Sequence, residues 1–175
     1  MTKDKNQHKK GFTLVEFFIY ALILSGLLSS LVLVGNNILQ ARQKVMILDK
    51  LEHSGRVSLD VVGQAIRSAE EIAIPSSPGE EGGILSLALV EGGTVFFYEE
   101  DDSFIMERGG EKTEIISDTV RVGEVVFKNL SYNEEVPATI QFFVSLEYKN
   151  PLGREEYQIV KSFQTTENVR IFLPE

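Results

Sequence analysis

Phe12 to Val34 is an apolar run of 23 residues broken by one charged side chain, Glu16. As a helix rising ~1.5 Å per residue it reaches roughly 34 Å. The hydrocarbon core of a bilayer is about 30 Å thick, so the run can span it with modest tilt. A carboxylate at membrane depth costs roughly 2.5–3.5 kcal/mol on insertion scales, and the place of Glu16 near the start of the run therefore needs a reason. Lys3, Lys5, Lys9 and Lys10 precede the run against Asp4, while no positive charge follows it before Arg42. The positive-inside rule then puts residues 1–10 in the cytoplasm and the body outside, a single-pass topology.

A cleaved secretory signal fits poorly, because its apolar core is about 7–15 residues long and a small-residue site follows it closely. A lipoprotein signal needs a cysteine to acylate, and the chain has none. A plain signal anchor accounts for length and orientation but not for Glu16.

The 175 residues carry a net charge of −9, with +3 on the side chains of residues 1–10 and so −12 on residues 11–175. An acidic body is the reverse of the basic face that binds nucleic acid, and no direct nucleic-acid contact is expected. Without cysteine there is neither a disulfide framework nor a thiolate zinc site, and the redox compartment stays open.

Lys10-Gly11-Phe12-Thr13-Leu14-Val15-Glu16, running at once into the apolar stretch, closely resembles the prepilin-type signal of type IV pilins and pseudopilins. The resemblance implies cleavage by a membrane-embedded prepilin peptidase between Gly11 and Phe12, followed by N-methylation of the new Phe12 amine. It also implies that Glu16, the fifth mature residue, pairs with the Phe12 amine of a neighbouring subunit during assembly. Opposite charges attract strongly in a low dielectric, whereas a buried charge left alone is heavily penalised. At helical spacing Glu16 can also reach its own Phe12 amine before assembly. The competing reading of Glu16 is a tolerated acid near the membrane boundary, with its charge removed. The match departs from major pilins in two ways. Val32-Leu33-Val34-Gly35 stands where many carry a proline, and no C-terminal disulfide is possible. Ser25, Ser29, Gly26 and Ser30 put small side chains on one helix face, which permits close helix approach.

Beyond the span, Ile38, Ala41, Val45, Leu48, Leu51, Gly55, Leu59, Val62, Ile66 and Ala69 recur at three- and four-residue steps, one stripe of an amphipathic helix. The helix is expected to end near Ile72–Pro75, where proline forbids continuation. Gly55 and Gly63, each about 1 kcal/mol worse than alanine in a helix, suggest a bend or close packing. The period then switches to two, with candidate strands Ile84–Val90, Thr94–Tyr98, Ser103–Glu107, Glu114–Ile116, Val125–Asn129, Ala138–Tyr148 and Glu156–Gln164. Gly92-Gly93 reads as a hairpin turn, and Asn133–Pro137 and Asn150–Gly153 as loops. The expected fold class is α+β, a long N-terminal helix covering an antiparallel sheet. The organisation is residues 1–11 as leader, 12–34 as transmembrane and filament-core helix, 35–74 as its amphipathic half, and 75–175 as a β-rich head.

Within the family, the order of features is similar to larger minor pilins and J-type minor pseudopilins. The shared patterns are Arg67 before the first strand, Val95–Tyr98 leading into Asp101-Asp102, Phe104–Arg108, and Phe163-Gln164-Thr165-Thr166 with Arg170. The resemblance implies a structural subunit of a type IV pilus, a competence pseudopilus or a type II secretion pseudopilus, placed at or near the fibre tip. Its partners would be prepilin peptidase, other pilin or pseudopilin subunits, the inner-membrane assembly platform and the lipid bilayer. The alternative from another class is a non-polymerising single-span protein with an extracytoplasmic ligand-binding or sensing domain.

No enzyme, cofactor or metal is expected. The residues Glu99-Glu100-Asp101-Asp102 offer oxygens to calcium but lack the spacing of a dedicated calcium loop and read as a solvated turn. His8 falls in the leader, and His53 stands alone on the helix.

Overall fold

A computed structural model describes residues 13–89, 92–132, 138–151 and 153–169. Its first element, α1, is one helix from Leu14 to Ser68. The chain divides into two units, Met1–Gln43 and Lys44–Glu175. In the first unit, the large apolar side chains from Leu14 to Val34 are 52–74% exposed, and this stretch is apolar enough to cross a membrane.

In the second unit the rest of α1 buries Ile47, Leu51, Ser54, Gly55, Ser58, Val62, Gly63 and Ile66. That face is phased one residue away from the predicted stripe at its start. Val45 and Leu48 are exposed and Ile47 is buried. Small side chains replace large ones in the middle, where Ser58 Oγ donates to the Ser54 carbonyl at 2.8 Å and so needs no outside partner.

The helix ends at Ser68, short of the expected 72–75, and β1 takes Ala69–Ile74. Glu70 and Glu71 would sit badly at the negative end of a helix dipole. Ile72 and Ile74 are β-branched, and the residue before Pro75 is pushed to extended backbone. The other strands are β2 (Glu81–Gly82), β3 (Leu85–Leu89), β4 (Thr94–Glu100), β5 (Ser103–Arg108), β6 (Glu111–Glu114), β7 (Val120–Asn129), β8 (Thr139–Tyr148) and β9 (Val160–Asn168). They form two antiparallel sheets, β1-β3-β4-β5-β6 and β2-β7-β8-β9. The α+β class holds, with two sheets in place of the one expected.

Three differences from the sequence reading have local causes. β7 begins five residues ahead of the expected Val125, because a bulge between Val122 and Glu124 breaks the alternation. Val120 and Val122 are buried before it, and Val125 and Phe127 after it, so the parity of the pattern reverses. β6 starts earlier than Glu114, since Gly109 and Gly110, at φ 63° and 84°, make a two-residue turn that pairs Arg108 with Glu111. β9 starts later than Glu156, because Glu155–Tyr157 is a 3₁₀ turn that buries the Tyr157 ring. The loops expected at Asn133–Pro137 and at Leu152 lie outside the described residues.

Four fully buried phenylalanines join the sheets. Phe97 of β4 lies 6.2 Å from Phe104 of β5, Phe104 stacks on Phe142 of β8 at 5.5 Å, and Phe142 stacks on Phe127 of β7 at 4.9 Å. Asn129 is the buried polar fastener at the end of β7. Its amide donates to the Pro75 carbonyl at 3.0 Å and its oxygen accepts from the Ser131 N–H at 3.0 Å.

β9 lies along α1. Phe163 presses on Gly55 so closely that a Cβ there would stand 2.4 Å from the ring. Lys161 pairs with Glu52, which also meets Arg56 at 3.5 Å, and Arg67 pairs with Glu167 at 2.8 Å. Gly55→Val should therefore destabilise the second unit by about 1–3 kcal/mol, an overpacking effect. In a Phe163→Ala background most of that loss should vanish, and chemical denaturation of the four variants measures the coupling. A full loss retained without the Phe163 ring would show that the ring is not what requires glycine.

The Lys161 hydrogen bond, and then its charge, hold the Glu52 carboxyl below its ordinary value of 4.5. A carboxyl depressed in the folded state contributes stability above its unfolded pKa and loses it as pH falls through the folded value. Glu52→Gln should therefore flatten the decline of stability with acid below about pH 4.5, read as the denaturant midpoint across a pH series. An unchanged acid slope would mean that solvent screens the pair completely.

Candidate functional site

The first turn of α1 holds the residues that the sequence singles out. Thr13 precedes the helix, and its Oγ1 accepts the Glu16 N–H at 3.3 Å, while its carbonyl accepts the Phe17 N–H at 3.1 Å. Thr13 is thus the N-cap and Glu16 the third helical residue, the spacing of a capping box. A carboxylate here lies at the positive end of the helix dipole. The Tyr20 hydroxyl, one turn on, donates to Glu16 Oε1 at 3.5 Å. Reading the sequence for charge alone misses both partners. The signals were present as Thr-x-x-Glu and as a hydroxyl four residues after the acid.

Gly11 and Phe12, the expected cleavage and methylation positions, lie outside the described residues, as does the Phe12 amine expected to pair with Glu16. So do the leader and Arg170. The expected cut falls two residues ahead of Leu14, where α1 begins.

Along the apolar stretch the small polar groups are satisfied locally. Ser25 Oγ donates to the Leu22 carbonyl at 2.9 Å, and Ser29 Oγ to the Ser25 carbonyl at 2.8 Å. Hydroxyls bonded in this way can sit in hydrocarbon without a second chain. No atom comes within 4 Å of a Cβ built at Gly26, so this small-residue face is open to a neighbouring helix. Glu16 differs from them in kind, since among the described residues its carboxylate accepts one long hydrogen bond, from Tyr20, against four acceptor sites. In an apolar medium such a group calls for a cation.

The acidic turn is part of a hairpin. Asp101 and Asp102 have φ of 51° and 61°, the left-handed pair that a two-residue turn between β4 and β5 requires and that aspartate tolerates. The Asp102 carbonyl accepts the Val122 N–H at 2.8 Å, which ties this tip to the other sheet. Glu100 is taken by Lys112 at 2.6 Å, and Tyr98 donates to Glu107 at 2.8 Å. Lys112 is held above its ordinary pKa by Glu100, and Tyr98 above its own by Glu107. Among the described residues, no three His, Asp or Glu side chains are grouped to hold a metal. His53 is exposed on α1, and Arg67 serves the contact between α1 and β9.

No family model, no curated protein and no solved structure matches the chain.

Proposed function

We propose that this chain is a minor pilin or pseudopilin, a membrane-inserted precursor that is cut after Gly11 and assembled into a type IV pilus-like or secretion-type fibre. The observation that carries the reading is Glu16 on the capped first turn of an apolar helix, immediately behind Lys10-Gly11-Phe12. Prepilin peptidase frees and methylates the Phe12 amine, and Glu16 of one subunit receives the amine of another. The pairing turns two poorly solvated charges into one neutral contact and penalises a wrong register, which would leave both unpaired. The subunit is stored in the inner membrane with residues 1–10 cytoplasmic and the body extracytoplasmic. Its fibre partners are other pilin-like subunits and the assembly platform, and its role is structural.

Fractionation of cells carrying a complete assembly system tests this function. The chain should appear with sheared or pelleted fibres, at or near their tips by immunogold labelling, and should stay in the membrane when the assembly ATPase is deleted. A chain found only in the membrane under both conditions is a non-polymerising single-span protein, and the proposal fails.

A further inference from the structure

From Leu14 to Leu24 every side chain is apolar except Glu16 and Tyr20. Residues at this spacing share one face of a helix, one turn apart. Their order matters as much as their spacing. Side chains on a helix lean toward its N-terminus, so a residue covers the turn that precedes its own Cα. A hydroxyl that is to serve Glu16 must therefore follow it, and Tyr20 does. The Tyr20 Oη donates to Glu16 Oε1 at 3.5 Å. A hydroxyl one turn ahead of the acid would lean away from it.

Two further observations bear on what this contact does. Glu16 is half-buried, whereas every other residue from Thr13 to Val34 is exposed. The acid is thus sheltered before a second chain meets it. The backbone and the carboxylate of Glu16 also have different partners. Thr13 Oγ1 accepts its N–H at 3.3 Å, and Tyr20 meets the carboxylate. Among the described residues, Oε2 accepts no hydrogen bond. The neighbouring rings of Phe17 and Phe18 lie edge to face at 6.1 Å and bring no donor of their own.

Strength separates a holding contact from a competing one. An O–H···O bond is commonly 2.5–3.0 Å long, so the tyrosine grips loosely. A net neutral hydrogen bond changes an equilibrium by about fivefold, whereas removing a partner from a buried ion pair changes it a hundredfold or more. A cation arriving at Oε2 therefore does not have to displace Tyr20. We propose that Tyr20 is a positioning residue for Glu16: its hydroxyl holds Oε1 on this face of α1 and leaves Oε2 to the incoming Phe12 amine. The consequence for assembly rests on the fibre-subunit reading, but the contact itself belongs to a single chain in a bilayer.

Two measurements test it. The first places 3-fluorotyrosine at position 20 of the full chain in lipid vesicles, without peptidase or other subunits. Its fluorine NMR resonance should move when Glu16→Leu removes the acceptor and keeps the bulk. An unmoved resonance overturns the proposal. The second counts fibre incorporation of Tyr20→Phe, which keeps the ring and loses only the hydroxyl. Incorporation should fall about fivefold, with insertion and cleavage after Gly11 at wild-type levels. Normal incorporation of Tyr20→Phe beside failure of Glu16→Ala overturns this inference and leaves the fibre reading standing. A matching fall in insertion or cleavage makes Tyr20 an aromatic anchor at the membrane interface and also overturns it. A wild-type chain absent from fibres removes the fibre reading, and the assembly role of Tyr20 with it, even where the fluorine resonance moves.

Discussion

Phe142→Ala is expected to destabilise the second unit by about 3–5 kcal/mol, the range for truncating a fully buried aromatic ring. The ring stacks on Phe127 within its own sheet and on Phe104 of the other, at 4.9 and 5.5 Å. Its removal therefore opens a cavity where the two sheets are joined, between strands whose ladders restrict collapse. Whole-domain stability is commonly 5–15 kcal/mol, so much of the margin would go with one side chain. The comparison that isolates the effect is Phe143→Ala, next along β8 and half-exposed on the opposite face. Its loss should be clearly smaller. Equal losses in denaturant titrations of the two variants would mean that the stacked rings do not organise the core.

Glu16→Ala should leave cleavage and membrane insertion intact and reduce incorporation into fibres about a hundredfold or more. Removing one partner of a buried ion pair costs roughly 3–5 kcal/mol, and each 1.4 kcal/mol is a factor of ten. Glu16→Gln keeps the shape and a hydrogen-bonding oxygen, so it should also fail, which separates charge pairing from capping geometry. Thr13→Ala removes the cap and should weaken only the first turn, by about 1 kcal/mol. Fibre-to-membrane ratios of the mature chain measure these effects. Normal incorporation of the alanine variant would remove Glu16 from the assembly step.

Long apolar and periodic stretches made the helix and most strands legible in the sequence. β3, β4, β5 and β8 sit within one or two residues of their expected bounds, because Gly, Asp and alternating apolar residues marked them locally. Features decided by tertiary contact were not legible. The bulge in β7 hides its first half, the 3₁₀ turn at Tyr157 mimics the start of β9, and Ile47 is chosen over Leu48 by what α1 meets. The division into two sheets depends on which strands pair, and pairing partners leave little local trace. At the candidate site, Glu16 was legible because it violates the composition around it. Its cap and its tyrosine neighbour were legible only in the frame of a helix beginning at Leu14. Gly55 stood out as a cost in a helix, but its cause, the Phe163 ring, lies more than a hundred residues away in sequence.

The central claim is that Lys9-Lys10-Gly11-Phe12 directs a cut, and that Glu16 awaits the amine the cut creates. N-terminal mass spectrometry of the chain co-expressed with an active prepilin peptidase tests it most directly. The account predicts a mature chain that lacks residues 1–11 and begins at N-methylated Phe12. An intact Met1–Gly11 segment, with a known prepilin processed in the same cells, would contradict it.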